Sequence, residues 1–222
     1  MSASNVNPNH RIKSGQSVSL IATIKRLIRA YPGGLGIVKE LIQNADDAEA
    51  RTIQITLDWR SHKIEQLPDL EMAEFLQPAL LIFNDAAFTE NDFGAIQKIG
   101  EGSKQTDLTK AGRFGLGFNA VYHLTDYPSF ASLDRIKFFD PHGTVFQQGG
   151  EGWWLENSEI QEFLKLYRAG LPEGYCLENS TVFRLPLRVK LQIGLWKKLK
   201  QKMDKRAIQQ ALNIGHEKWK HS

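Results

Sequence analysis

Three oxygen-bearing side chains recur at four- and three-residue steps in the stretch KELIQNADDAEA, residues 39–50: Glu40, Asn44 and Asp47. On a helix turning 100° per residue they fall within about 60° of one another. Such a row suits two kinds of chemistry. An ionised carboxylate orients a water and takes its proton. A neutral carboxamide oxygen beside it suits a hard divalent cation that keeps most of its own waters. The row also suits plain solvation, with Leu35, Val38, Ile42 and Ala45 expected on the core side of an amphipathic helix. For this helix taken alone, solvation is sufficient.

A second feature changes the weighing. GRFGLGF places Gly112, Gly115 and Gly117 just before a helix expected near Phe118–Leu124. Glycines there let backbone N–H groups close on an anion, and a helix N-terminus adds partial positive charge. The order G-x-x-G-x-G is not the dinucleotide fingerprint, and no P-loop, kinase catalytic loop or serine-hydrolase elbow occurs. Between the two features, the apolar run ALLIF at 79–83 leads to an acid, Asp85. In chain order these supply a base, a metal ligand, a base-edge reader and a phosphate cradle, the parts of a nucleoside triphosphate site.

The elements that must position these groups follow from periodicity. Leu20, Ile24, Leu27 and Ile28 mark an amphipathic helix over 17–31, stopped by PGG at 32–34. TIQITLDW (52–59) alternates Ile53, Ile55, Leu57 and Trp59, as a half-buried strand does. Residues 60–78 read as a loop with a helical turn near 72–76, ALLIF as a buried strand, and TENDFGAIQKIG as a short helix with a Thr cap. DRIKFFD, TVFQQ and TVFRLPLR read as strands joined by turns at DPHG and QGGEG, with a helix over 158–168. Element runs that do not strictly alternate predict an α+β fold, with helices on one face of a mixed, mainly antiparallel sheet.

Composition bounds the classes. The 222 residues suit one domain with an appendage, and no apolar run approaches the ~20 residues of a bilayer span. The first sixteen residues lack the apolar core of a secretory signal, and Cys176 is the only cysteine, so a cytoplasmic location is expected. The net charge of +3 is uneven: residues 188–222 carry ten Lys/Arg against two Asp/Glu, which leaves the rest net acidic. The expected organisation is a flexible lead at 1–16, a domain at 17–188 and a basic amphipathic helical tail at 189–222.

YPGGLGIVKELIQNADDAEA, LLIFNDAAFTENDF, GRFGLGFNAVYHLTDYPSF and FFDPHG, taken together and in order, resemble the ATP-binding repeat unit of the sacsin family. That unit belongs to the GHKL superfamily, with gyrase and the ninety-kilodalton heat-shock chaperone. The resemblance runs from about Leu20 to Arg188. It implies the Bergerat fold, a two-layer α/β sandwich holding ATP and Mg²⁺ under a lid. Carried over by position, Glu40 matches the general base, Asn44 the Mg²⁺ ligand, Asp47 a group ordering the adenine end, and Asp85 the acceptor for the adenine amino group. Gly112, Arg113, Phe114, Gly115, Gly117 and Phe118 match the phosphate-side lid and its hinge, with Ser103 and Lys104 in the lid segment. Thr181 matches the strand threonine that braces the aspartate.

The resemblance implies a chaperone-like module with weak or partner-dependent ATP hydrolysis and a protein client. One departure favours an alternative. The superfamily's D-x-G-x-G is replaced by NDAAFTEND, without glycine until Gly94, which suits an interaction module that keeps the fold and binds no nucleotide. Nucleic-acid binding through Lys197, Lys198, Lys200, Lys202, Lys205 and Arg206 ranks last, since no aromatic stacking pattern accompanies the charge.

Overall fold

Among the described residues, six strands make one sheet: β1 (Ile53–Asp58), β2 (Ala79–Asn84), β3 (Ser129–Ser132), β4 (Arg135–Phe139), β5 (Gly150–Trp154) and β6 (Thr181–Pro186). Their order is β1-β2-β6-β3-β4-β5, and every neighbouring pair is antiparallel. With the α-helices α1 (Leu20–Ala30), α2 (Leu35–Asp47), α3 (Glu90–Ile96) and α4 (Gln161–Arg168), the class is α+β, as expected. The computed structural model describes residues 19–30, 35–97 and 118–191.

Strand alternation divides the side chains between two cores. Ile82, Phe130, Phe183 and Leu185 pack with Ile24 of α1, Ile37 and Leu41 of α2, and Phe93 of α3. Their neighbours Phe83, Ala131 and Val182 pack on the other face with Phe163, Leu164 and Tyr167 of α4, and with Met72 and Phe75 of a 3-10 helix over Leu70–Leu76. Helices therefore cover both faces, not the one expected. The reason lies in β2: ALLIF is apolar at consecutive positions, so each face presents buried side chains that need cover.

Most boundaries follow local signals. Thr89 and Asp92 close a reciprocal capping box at the start of α3, and Asp69 caps the 70–76 turn. The helix expected near Phe118–Leu124 is a 3-10 helix, Phe118–His123. One expectation is corrected: TVFQQ is not a strand, and the strand is GEGWW, which starts inside the expected QGGEG turn. The buried Asp140 carboxylate accepts the N–H groups of His142, Val145 and Phe146 and the Thr144 hydroxyl, so the chain curls around it before extending. β3 carries no signal of its own, being four residues, all buried, that show no apolar-polar alternation.

At the end of β1, the side chain of Asp58 is 4% exposed and accepts from Arg60 Nε at 2.7 Å, while His62 Nε2 lies 2.8 Å from its other oxygen. Burial alone would raise its pKa, but the bonds from Arg60 and His62 outweigh that and hold it at about 2, against 3.8 for a free side chain. A depressed carboxylate stabilises the fold above its unfolded pKa, and this contribution fades as pH falls towards the folded value. Wild-type stability should therefore decline between about pH 4 and 2. Asp58→Asn should start less stable at pH 7 and show a shallower acid limb, as denaturant melts across that window would measure.

Candidate functional site

α2 is an uninterrupted helix from Leu35 to Asp47, so Glu40, Asn44 and Asp47 do share one row. Its rotation differs from the expected one. Ile37, Leu41 and Ala45 are buried, whereas Ile42 is 47% exposed and Val38 half-buried. The buried stripe thus borders the polar row instead of opposing it. Asn44 falls at the border and is buried, Glu40 beside it is half-buried, and Asp47 is exposed.

No hydrogen bond within the described residues reaches the Asn44 carboxamide, and its Nδ2 is fully buried without a partner. A buried amide left this way costs roughly 1–3 kcal/mol. Its two ends exchange by a simple flip. The group therefore offers either an oxygen to a hard cation or an N–H to an anionic oxygen. Among the described residues, no three His, Cys, Asp or Glu cluster into a metal-holding group. One carboxamide with nearby carboxylates is a hard, sparse donor set, and it fits a cation that draws its remaining ligands from water and phosphate.

The loop after β2 is held from four directions. Asn84, buried on the α2 side of the sheet opposite Thr181, accepts from Ala86 N–H. Asp85 Oδ1 accepts the N–H groups of Arg51 and Thr52 at 2.8 and 2.9 Å. Burial pushes the Asp85 pKa up, but these backbone donors outweigh it and leave it below the usual carboxylate range. Thr181 Oγ1 donates to the Ala86 carbonyl at 2.7 Å and lies 2.8 Å from Ser132 Oγ, which accepts from Phe88 N–H. Neither Ala86 nor Ala87 takes a positive φ. The missing glycines are thus explained, since this loop reaches its shape without the left-handed conformations that favour glycine.

Thr181 consequently braces the backbone one residue beyond Asp85 instead of the carboxylate. Phe118 is a core residue, 3% exposed, packed on Phe183 and Phe139. Asn84 and Ser132 join the cluster although no motif in the sequence marks either. Period-two counting from Ile82 to Asn84 would have put Asn84 on the α2 face. Ser103, Lys104, Gly112, Arg113, Phe114, Gly115 and Gly117 lie outside the described residues, as does the basic tail from 192 onward. A cleft of about 320 Å³ opens elsewhere on this face, bounded by Leu20, Gln97, Tyr122, Lys137 and Gly149.

Comparison with known proteins agrees with the motif order. A family model described as the Sacsin domain matches residues 17–220, a stretch that takes in the basic segment after Arg188. Sacsin from Homo sapiens is 38% identical over 187 residues, covering 78% of this chain and 4% of the human protein. The chain thus corresponds to a small part of that relative's length.

Proposed function

Since this chain belongs to the Sacsin domain family, we propose that it is an ATP- and Mg²⁺-binding module of the GHKL type, chaperone-like, with slow or partner-dependent hydrolysis. The observation that carries this reading is the buried, unpartnered carboxamide of Asn44 beside the half-buried Glu40. Asn44 would hold Mg²⁺ through its amide oxygen. When bound, the ion neutralises charge on the phosphate oxygens. Glu40, one turn earlier, would hold the attacking water by accepting a hydrogen bond from it and would take its proton as the oxygen attacks the γ-phosphate. Asp47 would help order the adenine end of the site, and Asp85 would accept from the adenine amino group. Thr181 and Ser132 fix the loop that carries Asp85. By the family resemblance, the glycines at 112, 115 and 117 would supply backbone N–H groups to the phosphates, Arg113, Phe114 and Phe118 would belong to the hinge, and Ser103 and Lys104 to the lid segment.

Phosphoryl transfer relies on positioning and on charge stabilisation. Without an added cation from a neighbouring domain or partner, turnover stays slow. A second reading, an interaction module that binds no nucleotide, draws support from the commitment of Asp85 Oδ1 to backbone donors and from Phe88, already packed at 4.7 Å on Phe130. Calorimetric titration with ATP, with and without Mg²⁺, separates the two. Heat and a thermal shift that both require Mg²⁺ are expected. Neither signal at millimolar MgATP would leave the scaffold reading.

A further inference from the structure

β1 is an edge of the sheet: among the described residues it pairs with β2 and with no other strand. Asp85 N–H donates to the Thr52 carbonyl. In an antiparallel ladder this fixes the alternation. Thr52, Gln54, Thr56 and Asp58 turn their main-chain groups towards β2. Ile53, Ile55 and Leu57 turn theirs outward, where no described residue meets them. Natural edges are usually blunted by Lys, Pro or a bulge. β1 has none of these from Thr52 to Leu57, a charge-free and β-prone run between Arg51 and Asp58. Ile55 is 41% exposed at its centre.

We infer that this edge is a self-pairing surface whose partner is β1 of a second copy of the chain, antiparallel about a two-fold axis at Ile55. The register is self-complementary. Ile53 stands opposite Leu57, Ile55 opposite Ile55, and Leu57 opposite Ile53, and these are the residues with outward N–H and C=O groups, so each pair exchanges both of its backbone bonds. Their side chains form one apolar row on the α2 face, while Gln54 meets Thr56 on the other. At the ends Asp58 faces Thr52 and Trp59 faces Arg51, so no like charges meet. The far edge fits less well. β5 holds Gly150 and Gly152, and glycine weakens a strand interior. An edge pair falls short of the ~1,200–2,000 Å² of a standard interface, so the dimer is weak and concentration-dependent.

Sedimentation equilibrium of the nucleotide-free chain tests this independently of ATP binding. The average mass should rise from monomer towards dimer between low and high micromolar concentration. Ile55→Lys places two cations across the axis while leaving the ladder to β2 intact, and should weaken association about tenfold or more. Ile55→Glu should do the same, and mixing the two variants should restore a heterodimer. A monomer throughout the range, or a Lys variant that dimerises like the wild type, overturns the inference.

Discussion

Asn44→Ala should abolish Mg²⁺-dependent nucleotide binding while leaving the unliganded fold at least as stable as the wild type. The two halves have separate causes. Binding is expected to be lost because the carboxamide is the proposed neutral oxygen donor to the ion, and alanine offers it nothing. Stability is retained because the wild-type group is buried with Nδ2 unpartnered. Removing a desolvated, unpaired polar group recovers up to about 2 kcal/mol, set against a small cavity cost. A ligand at a hundred times its dissociation constant stabilises by about 2.7 kcal/mol. Thermal melts should therefore show a MgATP-induced shift in the wild type and none in the variant, with the unliganded variant melting no lower. A variant that keeps the shift removes Asn44 from the site, and one that melts well below the wild type makes it a packing residue.

Glu40→Ala should bind MgATP about as well as the wild type yet turn it over more slowly by about 10²–10⁴-fold, the usual contribution of a positioned general base. The expectation rests on placement: Glu40 lies one turn before Asn44 on the same row and is half-buried. Single-turnover hydrolysis with excess protein measures the chemical step without product release. Unchanged turnover in the variant, or a wild type that binds ATP and never cleaves it, takes Glu40 out of the chemistry and leaves a binding module.

Both predictions depend on how α2 is rotated, and that rotation was only half legible. The sequence showed an amphipathic helix and one polar row, because these are set by spacing along a single chain segment. It also showed α1, β2, the Thr89 cap and β6, each carried by a local run or cap. It did not show which of two overlapping apolar stripes would be buried. Val38 and Ile42 fit the helical period as well as Ile37 and Leu41 do. The sheet settled the matter by accepting Ile37 and Leu41 against Ile82 and Phe183, and that choice carried Asn44 into the border of the core. The Asp85 tether was hidden for the same reason, since its donors lie more than thirty positions earlier in the chain.

The amino-acid order by itself therefore determined the family, most of the element types and which polar residues share a helix side, since all of these are local patterns or ordered motifs. Tertiary packing decided that helices cover both faces of the sheet, that Asp140 curls a segment expected to be a strand, and that β1 pairs on one side only among the described residues. The physical reason is one of range. Periodicity and capping are encoded within a few residues, whereas burial is a competition between distant surfaces for the same neighbours, and its winner exists only once the chain has folded.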